Sequence, residues 1–156
     1  MGRNLLRAVI VMLAVLVIFG FEASQNPAEA ARTKLLFPYV TNISGWDTGI
    51  AITYVTLNLP MTGPTPTGKC TVYYQGTLWG GGYPPSPQTI DPIHMGETIT
   101  FTLSQGGVPG SPPGNSTEGF QGYMLVDCNF TKARGLAFIS DYAGNAASTY
   151  LAEVVK

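Results

Sequence analysis

Charge is scarce in this chain. Of its 156 residues, 11% are Asp, Glu, Lys or Arg, and they balance to a net charge of −1 without a basic stripe. Phosphate backbones and anionic bilayers are held by clustered Lys and Arg, so neither nucleic acid nor anionic lipid is an expected partner. Histidine occurs once, at His94. Any imidazole-based triad has to use it, and no Gly-x-Ser-x-Gly elbow accompanies it. There is no Cys-x-x-Cys, no His-x-x-x-His and no Asp-rich calcium loop, so no metal and no cofactor is expected. The carboxylates of residues 31–156, Asp47, Asp91, Glu97, Glu118, Asp127, Asp141 and Glu153, are scattered singly. A glycosidase needs two of them roughly 5–10 Å apart across a cleft, and nothing in their spacing suggests one. The glycines at 80–82, 106, 107 and 110 do not follow a phosphate-binding spacing.

The chain also lacks an apolar run long enough to cross a bilayer as a helix. The longest, residues 8–21, falls short of the roughly 20 residues that a span requires. Arg3 and Arg7 precede it, and the polar stretch after it ends in Ala28-Glu29-Ala30. That order predicts a secretory signal peptide over 1–30, cleaved after Ala30. Residues 31–156 are then a single domain without a membrane span, placed in the periplasm or outside the cell.

What the chain does have is period-two alternation. In 97–104, Ile99, Phe101 and Leu103 alternate with threonine and serine, giving one apolar and one wet face. Further strands are predicted at 34–42, 49–59, 69–79, 88–94, 120–130, 135–142 and 148–155, although 150–155 also suits a short helical turn. Pro38 and Pro92 demote their strands to edge or partial ones, since proline cannot donate to a ladder. Residues 60–69, 80–88 and 104–119 are rich in Pro and Gly and read as loops; the last is long enough to be unusual in a compact domain. Many short strands between turn signals predict an all-β fold, an antiparallel β-sandwich of immunoglobulin-like architecture.

Alternation also orients the two cysteines. In 119–130, Cys128 shares its face with Phe120, Met124 and Val126, while Asp127 points the other way. In 70–79, Cys70 shares its face with Val72, Tyr74 and Leu78. Two core-facing cysteines in an exported chain, with none left over, predict one disulfide, Cys70–Cys128. Asp127 is then a solvated charge, not part of a reactive site. "DYAGN" (141–145) suits a hairpin turn at least as well as a calcium loop. Three sequons, at 42–44, 115–117 and 129–131, match the N-glycosylation pattern.

The blocks "FPYVTN" (37–42), "GWDTGIAIT" (45–53), "CTVYYQG" (70–76), "GFQGYMLVDCNF" (119–130) and "ARGLAFISD" (133–141) resemble a group of exported bacterial proteins without an assigned activity. In that group "GIAI" runs into a Ser/Asn-Thr turn, whereas here 53–56 extends the strand. The resemblance implies a bacterial, exported β-domain and carries over no catalytic residue.

Three functions of different classes remain in play. The first is an exported non-enzymatic protein with a structural or adhesive role at the cell surface or in the extracellular matrix. Its self-assembling version uses Leu35, Leu36, Phe37, Tyr39 and Val40 as a strand added to a neighbour's edge; the alternative for these residues is the domain's own first strand. The second is a module that binds a carbohydrate or small ligand through Trp46, Trp79 and Tyr83, rings suited to stacking, though each also suits the end of a core. The third is a small hydrolase centred on His94.

Overall fold

The computed structural model describes residues 32–56, 63–109 and 117–156. The expected signal peptide and its cleavage site lie outside the described residues. So do parts of the 60–69 and 104–119 loops, including Asn115 of one sequon.

Among the described residues nine strands form in chain order: β1 (Thr33–Thr41), β2 (Trp46–Tyr54), β3 (Thr67–Leu78), β4 (Gln88–His94), β5 (Thr98–Thr102), β6 (Phe120–Cys128), β7 (Ala133–Asp141), β8 (Ala147–Leu151) and β9 (Glu153–Val155). The first sheet has the order β4-β3-β6-β1-β9 and the second β5-β2-β7-β8. Every pairing is antiparallel. The two sheets pack face to face as a β-sandwich.

The inner faces carry the residues that alternation assigned to them. Phe120, Met124, Val126 and Cys128 of β6 are fully buried, as are Cys70 and Val72 of β3 and Ile52 of β2. Cys70 stands directly opposite Cys128 on the neighbouring strand, and the two are bonded with their Cα atoms 4.0 Å apart. In antibody-type domains the disulfide joins the two sheets and a tryptophan packs against it. Here the bond joins two strands of one sheet, and both tryptophans are exposed. A further close approach lies along the same pair of strands at Gly76 and Gly122. A Cβ on Gly122 would strike the Gln75 carbonyl and come within 2.8 Å of Gly76 Cα.

β1 departs from expectation. Pro38 predicts an edge strand, yet β1 lies inside the first sheet, between β6 and β9. The ladder accommodates the proline with a register shift between Phe37 and Val40, the irregular site where a strand tolerates a missing donor. Leu35, Phe37 and Val40 point inward and are fully buried, while Leu36 and Tyr39 do not share their face. The segment proposed for exchange between subunits is thus paired within its own chain, and its side chains fill its own core. Pro92 behaves as expected, in the edge strand β4.

β2 departs as well, since it spans Trp46–Tyr54 and residues 55 and 56 do not extend it as expected; at the C-terminal end a single strand over 148–155 becomes two. The chain breaks at Ala152, leaves the second sheet after β8 and joins the first as β9. Ala152 N–H donates to the Gly135 carbonyl at 2.9 Å. A Cβ on Gly135 would lie 2.5 Å from the Phe37 ring and 2.9 Å from Ala152 Cβ. Glycine at 135 therefore lets the crossing chain settle against the core.

Candidate functional site

The crossing at Ala152 determines where the sandwich closes. β9 pairs with Lys34, Leu35 and Leu36 of β1, so among the described residues the rest of β1 has no strand neighbour on that side. Between this part of β1 and β8, the margin of the second sheet, lies a groove of about 550 Å³. Ligand sites commonly occupy some 300–1,000 Å³.

Three aromatic side chains wall the groove, Tyr39 from the β1 irregularity, Trp46 from the start of β2 and Tyr150 from β8. Ile139 lies between them, and exposed Ser44, Gln121 and Ser148 add hydroxyl and amide groups. Trp46 follows the inward direction of Thr48, Ile50 and Ile52 but lies beyond the end of the core, so its ring stays 38% exposed. Tyr150 spans the gap between the sheets, its hydroxyl donating to the Tyr39 carbonyl. Burial pushes the Tyr150 phenol up to about 12, so it remains a neutral donor throughout the physiological range.

A second groove of about 370 Å³ adjoins the first and shares Ile43 and Ser44 with it. Trp79 and Tyr142 line it with Ser104 and Glu118. The ridge between the grooves is a tight turn in which Trp46 N–H donates to the Ile43 carbonyl at 2.9 Å. Ser44 and Gly45 both have positive φ, 54° and 84°, as the central residues of a type I′ turn do.

The ridge is held from below. Thr41 N–H donates to Thr48 Oγ1, and that hydroxyl donates to the Thr41 carbonyl, both at 2.9 Å, tying the end of β1 to β2. Asn42 Nδ2 donates to Thr117 Oγ1 at 3.3 Å, and Thr117 in turn donates to the Leu103 carbonyl. Asp47 accepts from Ser104 N–H at 3.0 Å and Ser104 Oγ at 2.5 Å. The bonds of Thr41, Asn42, Thr48 and Thr117 satisfy buried groups that would be costly to leave unpaired, and together with the Asp47–Ser104 pair they hold the ridge in place.

Of the three aromatic residues expected to bind, the structure brings Trp46 and Trp79 to opposite sides of one ridge. Tyr83 is 92% exposed and lines neither groove. Sequence reasoning missed Tyr142 and Tyr150 and placed Tyr39 in an assembly strand; the available signal was Pro38, which forces an irregularity that turns Tyr39 outward.

His94 is exposed and lines neither groove; its backbone N–H donates to Glu97 Oε2 at 2.7 Å across the turn between β4 and β5. Asp141 Oδ1 accepts from Asn145 and Ala146 N–H, which makes "DYAGN" a hairpin turn. Asp127 lies on the outer face of β6 with Oδ2 3.7 Å from Arg32, but it is not the solvated charge expected: its side chain is mostly covered and Oδ1 is buried without a hydrogen-bond partner. Asn42 of the first sequon is buried. Among the described residues no group of three or more His, Cys, Asp or Glu is placed to hold a metal.

Neither groove brings two carboxylates together; the first is lined by no carboxylate and the second by Glu118 alone. Its equipment is aromatic faces, hydroxyls and amides. No known family model, curated protein or solved structure matches the chain.

Proposed function

We propose that this is an exported, non-enzymatic adhesive domain that binds a neutral, hydroxyl-rich ligand, a glycan of the cell surface or surrounding matrix, in the groove between β1 and β8. The observation that carries this reading is the convergence of Tyr39, Trp46 and Tyr150 with Ser44, Gln121 and Ser148 around about 550 Å³. Sugar rings present C–H faces that stack on aromatic rings, and their hydroxyls exchange hydrogen bonds with side chains such as these. An uncharged ligand matches a groove without a carboxylate or a cation. Export is supported by the disulfide, a bond at home in oxidising compartments, and by the N-terminal segment's signal-peptide plan. The absence of paired carboxylates in the grooves supports a binding role over hydrolysis.

Chemistry distinguishes the two grooves, and the two tryptophans make that difference measurable. They are the only ones in the chain, so Trp46→Phe and Trp79→Phe each leave a single fluorescent reporter. Titration with neutral polysaccharides is expected to shift the emission of Trp46 and to leave Trp79 less affected. Trp46→Ala is expected to weaken binding at least tenfold, the effect of losing a stacking residue worth about 1.4 kcal/mol or more. A panel of neutral glycans that shifts neither tryptophan overturns the proposal.

A further inference from the structure

Among the described residues the two sheets end in four strand margins, and three of them are guarded. β4 carries Asp91 and Pro92. β9 is three residues long and includes Glu153. β5 follows Glu97, and its Thr102 carbonyl already accepts from Gly107 N–H at 3.1 Å. Charge, proline, brevity and cover are the usual protections of an edge strand. β8, "ASTYL", has no charge and no proline, its pairing with β7 is regular, and among the described residues β7 is its only strand partner.

The hydrogen-bond pattern shows which of its backbone groups face outward. Asp141 N–H donates to the Ala146 carbonyl, and Ala152 N–H donates to the Gly135 carbonyl. Both bonds belong to the β7–β8 register, so the even-numbered positions of β8 bond β7. In an antiparallel ladder alternate residues bond opposite sides. The N–H and C=O of Ala147, Thr149 and Leu151 therefore face the open margin.

We propose that β8 is a homodimerisation edge, pairing antiparallel with β8 of a second copy about a two-fold axis at Thr149. A closed two-fold interface must complement itself, and this strand does. With Thr149 opposite its symmetry mate, Ala147 faces Leu151 of the other copy and Leu151 faces its Ala147. The three outward-facing residues of each copy then exchange a full set of ladder bonds. On the outer face the small Ala147 leaves room for Leu151, which is 74% exposed in the single chain and stands beside exposed Leu136 on β7. The absence of charge along β8 means that no like pair opposes the contact. On the inner side the same axis places Ser148 opposite Tyr150 of the other copy, bringing the two grooves mouth to mouth. The dimer does not depend on what the groove binds.

Sedimentation equilibrium of the exported, oxidised protein over a wide concentration range tests this directly. The expected result is reversible association to twice the protomer mass. Thr149→Lys sets two cations opposite each other at the axis, where like charges destabilise pairing, and is expected to weaken association at least tenfold. Thr100→Lys, at an equally exposed position on the opposite margin of the same sheet, is expected to leave it unchanged. Hydrogen exchange provides a readout independent of the variants: the amides of Ala147, Thr149 and Leu151 should gain protection as concentration rises. A protein that stays monomeric, a Thr149→Lys variant that dimerises like the parent, or a dimer whose β8 amides exchange as in the monomer overturns the proposal.

Discussion

The middle of the first sheet and the margin between β1 and β8 draw on the same residue types, aromatic, β-branched and small, and use them to opposite ends. Around Cys70 and Cys128, three strands run side by side with their inner side chains fully buried. At the margin, β1 bulges at Pro38 and β8 leaves for the other sheet at Ala152, so the layers stay apart and aromatic rings stand half in water. The middle keeps the alternation of the β-strand, while β1 breaks it at Pro38 and Tyr39; the regions differ too in whether a strand has described neighbours along its whole length. Side chains are fully buried where it does, and a groove opens where it does not.

The largest effects are expected in the middle. Replacing both cysteines by alanine opens a loop of 59 residues, from a sequence separation of 58. The chain-entropy model assigns its closure about 4 kcal/mol, a large part of the stability of a small domain. Phe37→Ala, which empties a fully buried site, should cost a similar amount, about 3–5 kcal/mol. Urea unfolding of the oxidised variants measures both. Gly122→Ala forces a Cβ into the backbone of β3 and should cost about 1–3 kcal/mol by overpacking. A loss below ~0.5 kcal/mol would show that β3 and β6 can part there, blurring the contrast with the margin.

Smaller changes sharpen it. Tyr150→Phe removes the hydrogen bond to the Tyr39 carbonyl and should cost about 1 kcal/mol or less, with chemical-shift changes confined to β1, β8 and the groove. The same phenol gives a pH signature. Its folded value of about 12 lies above the ordinary 10.0, because burial disfavours the phenolate. The folded state therefore holds the proton longer than the unfolded chain, so this contribution is complete below pH 10 and lost as pH rises through about 12. Spectrophotometric titration of parent against Tyr150→Phe should yield a difference curve centred near 12 and not near 10. Trp46→Ala, at a partly exposed ring, should change stability least, by about 1 kcal/mol or less, while removing most of the binding.

Much of the sandwich was legible from alternation. β4 matches its expected bounds, the core-facing set of β6 matches residue for residue, and the cysteines pair as their faces required. The margin was far less legible, because it depends on events that period-two patterning does not encode. The pattern of 148–155 runs unbroken through Ala152, yet Gly135, distant in sequence, sets the point where the chain changes sheets. Pro38 was read as a bar to interior pairing, when a bulge can accommodate it. Trp46 continues an inward-facing series, and only the length of the core beneath it determines whether the ring is buried or exposed. For the same reason Tyr142 and Tyr150 gave no local sign that they would meet the two tryptophans at one ridge.

The central claim is that the open margin between β1 and β8 is the binding face. Its most direct test is a nitrogen–proton correlation spectrum of the oxidised protein titrated with the neutral glycans used in the fluorescence experiment. Perturbations concentrated at Tyr39, Ser44, Trp46, Gln121, Ile139, Ser148 and Tyr150, with the strands around Cys70 and Cys128 unmoved, are the predicted result. Perturbations centred on Trp79 and Tyr83, or on the outer face of either sheet, would contradict it.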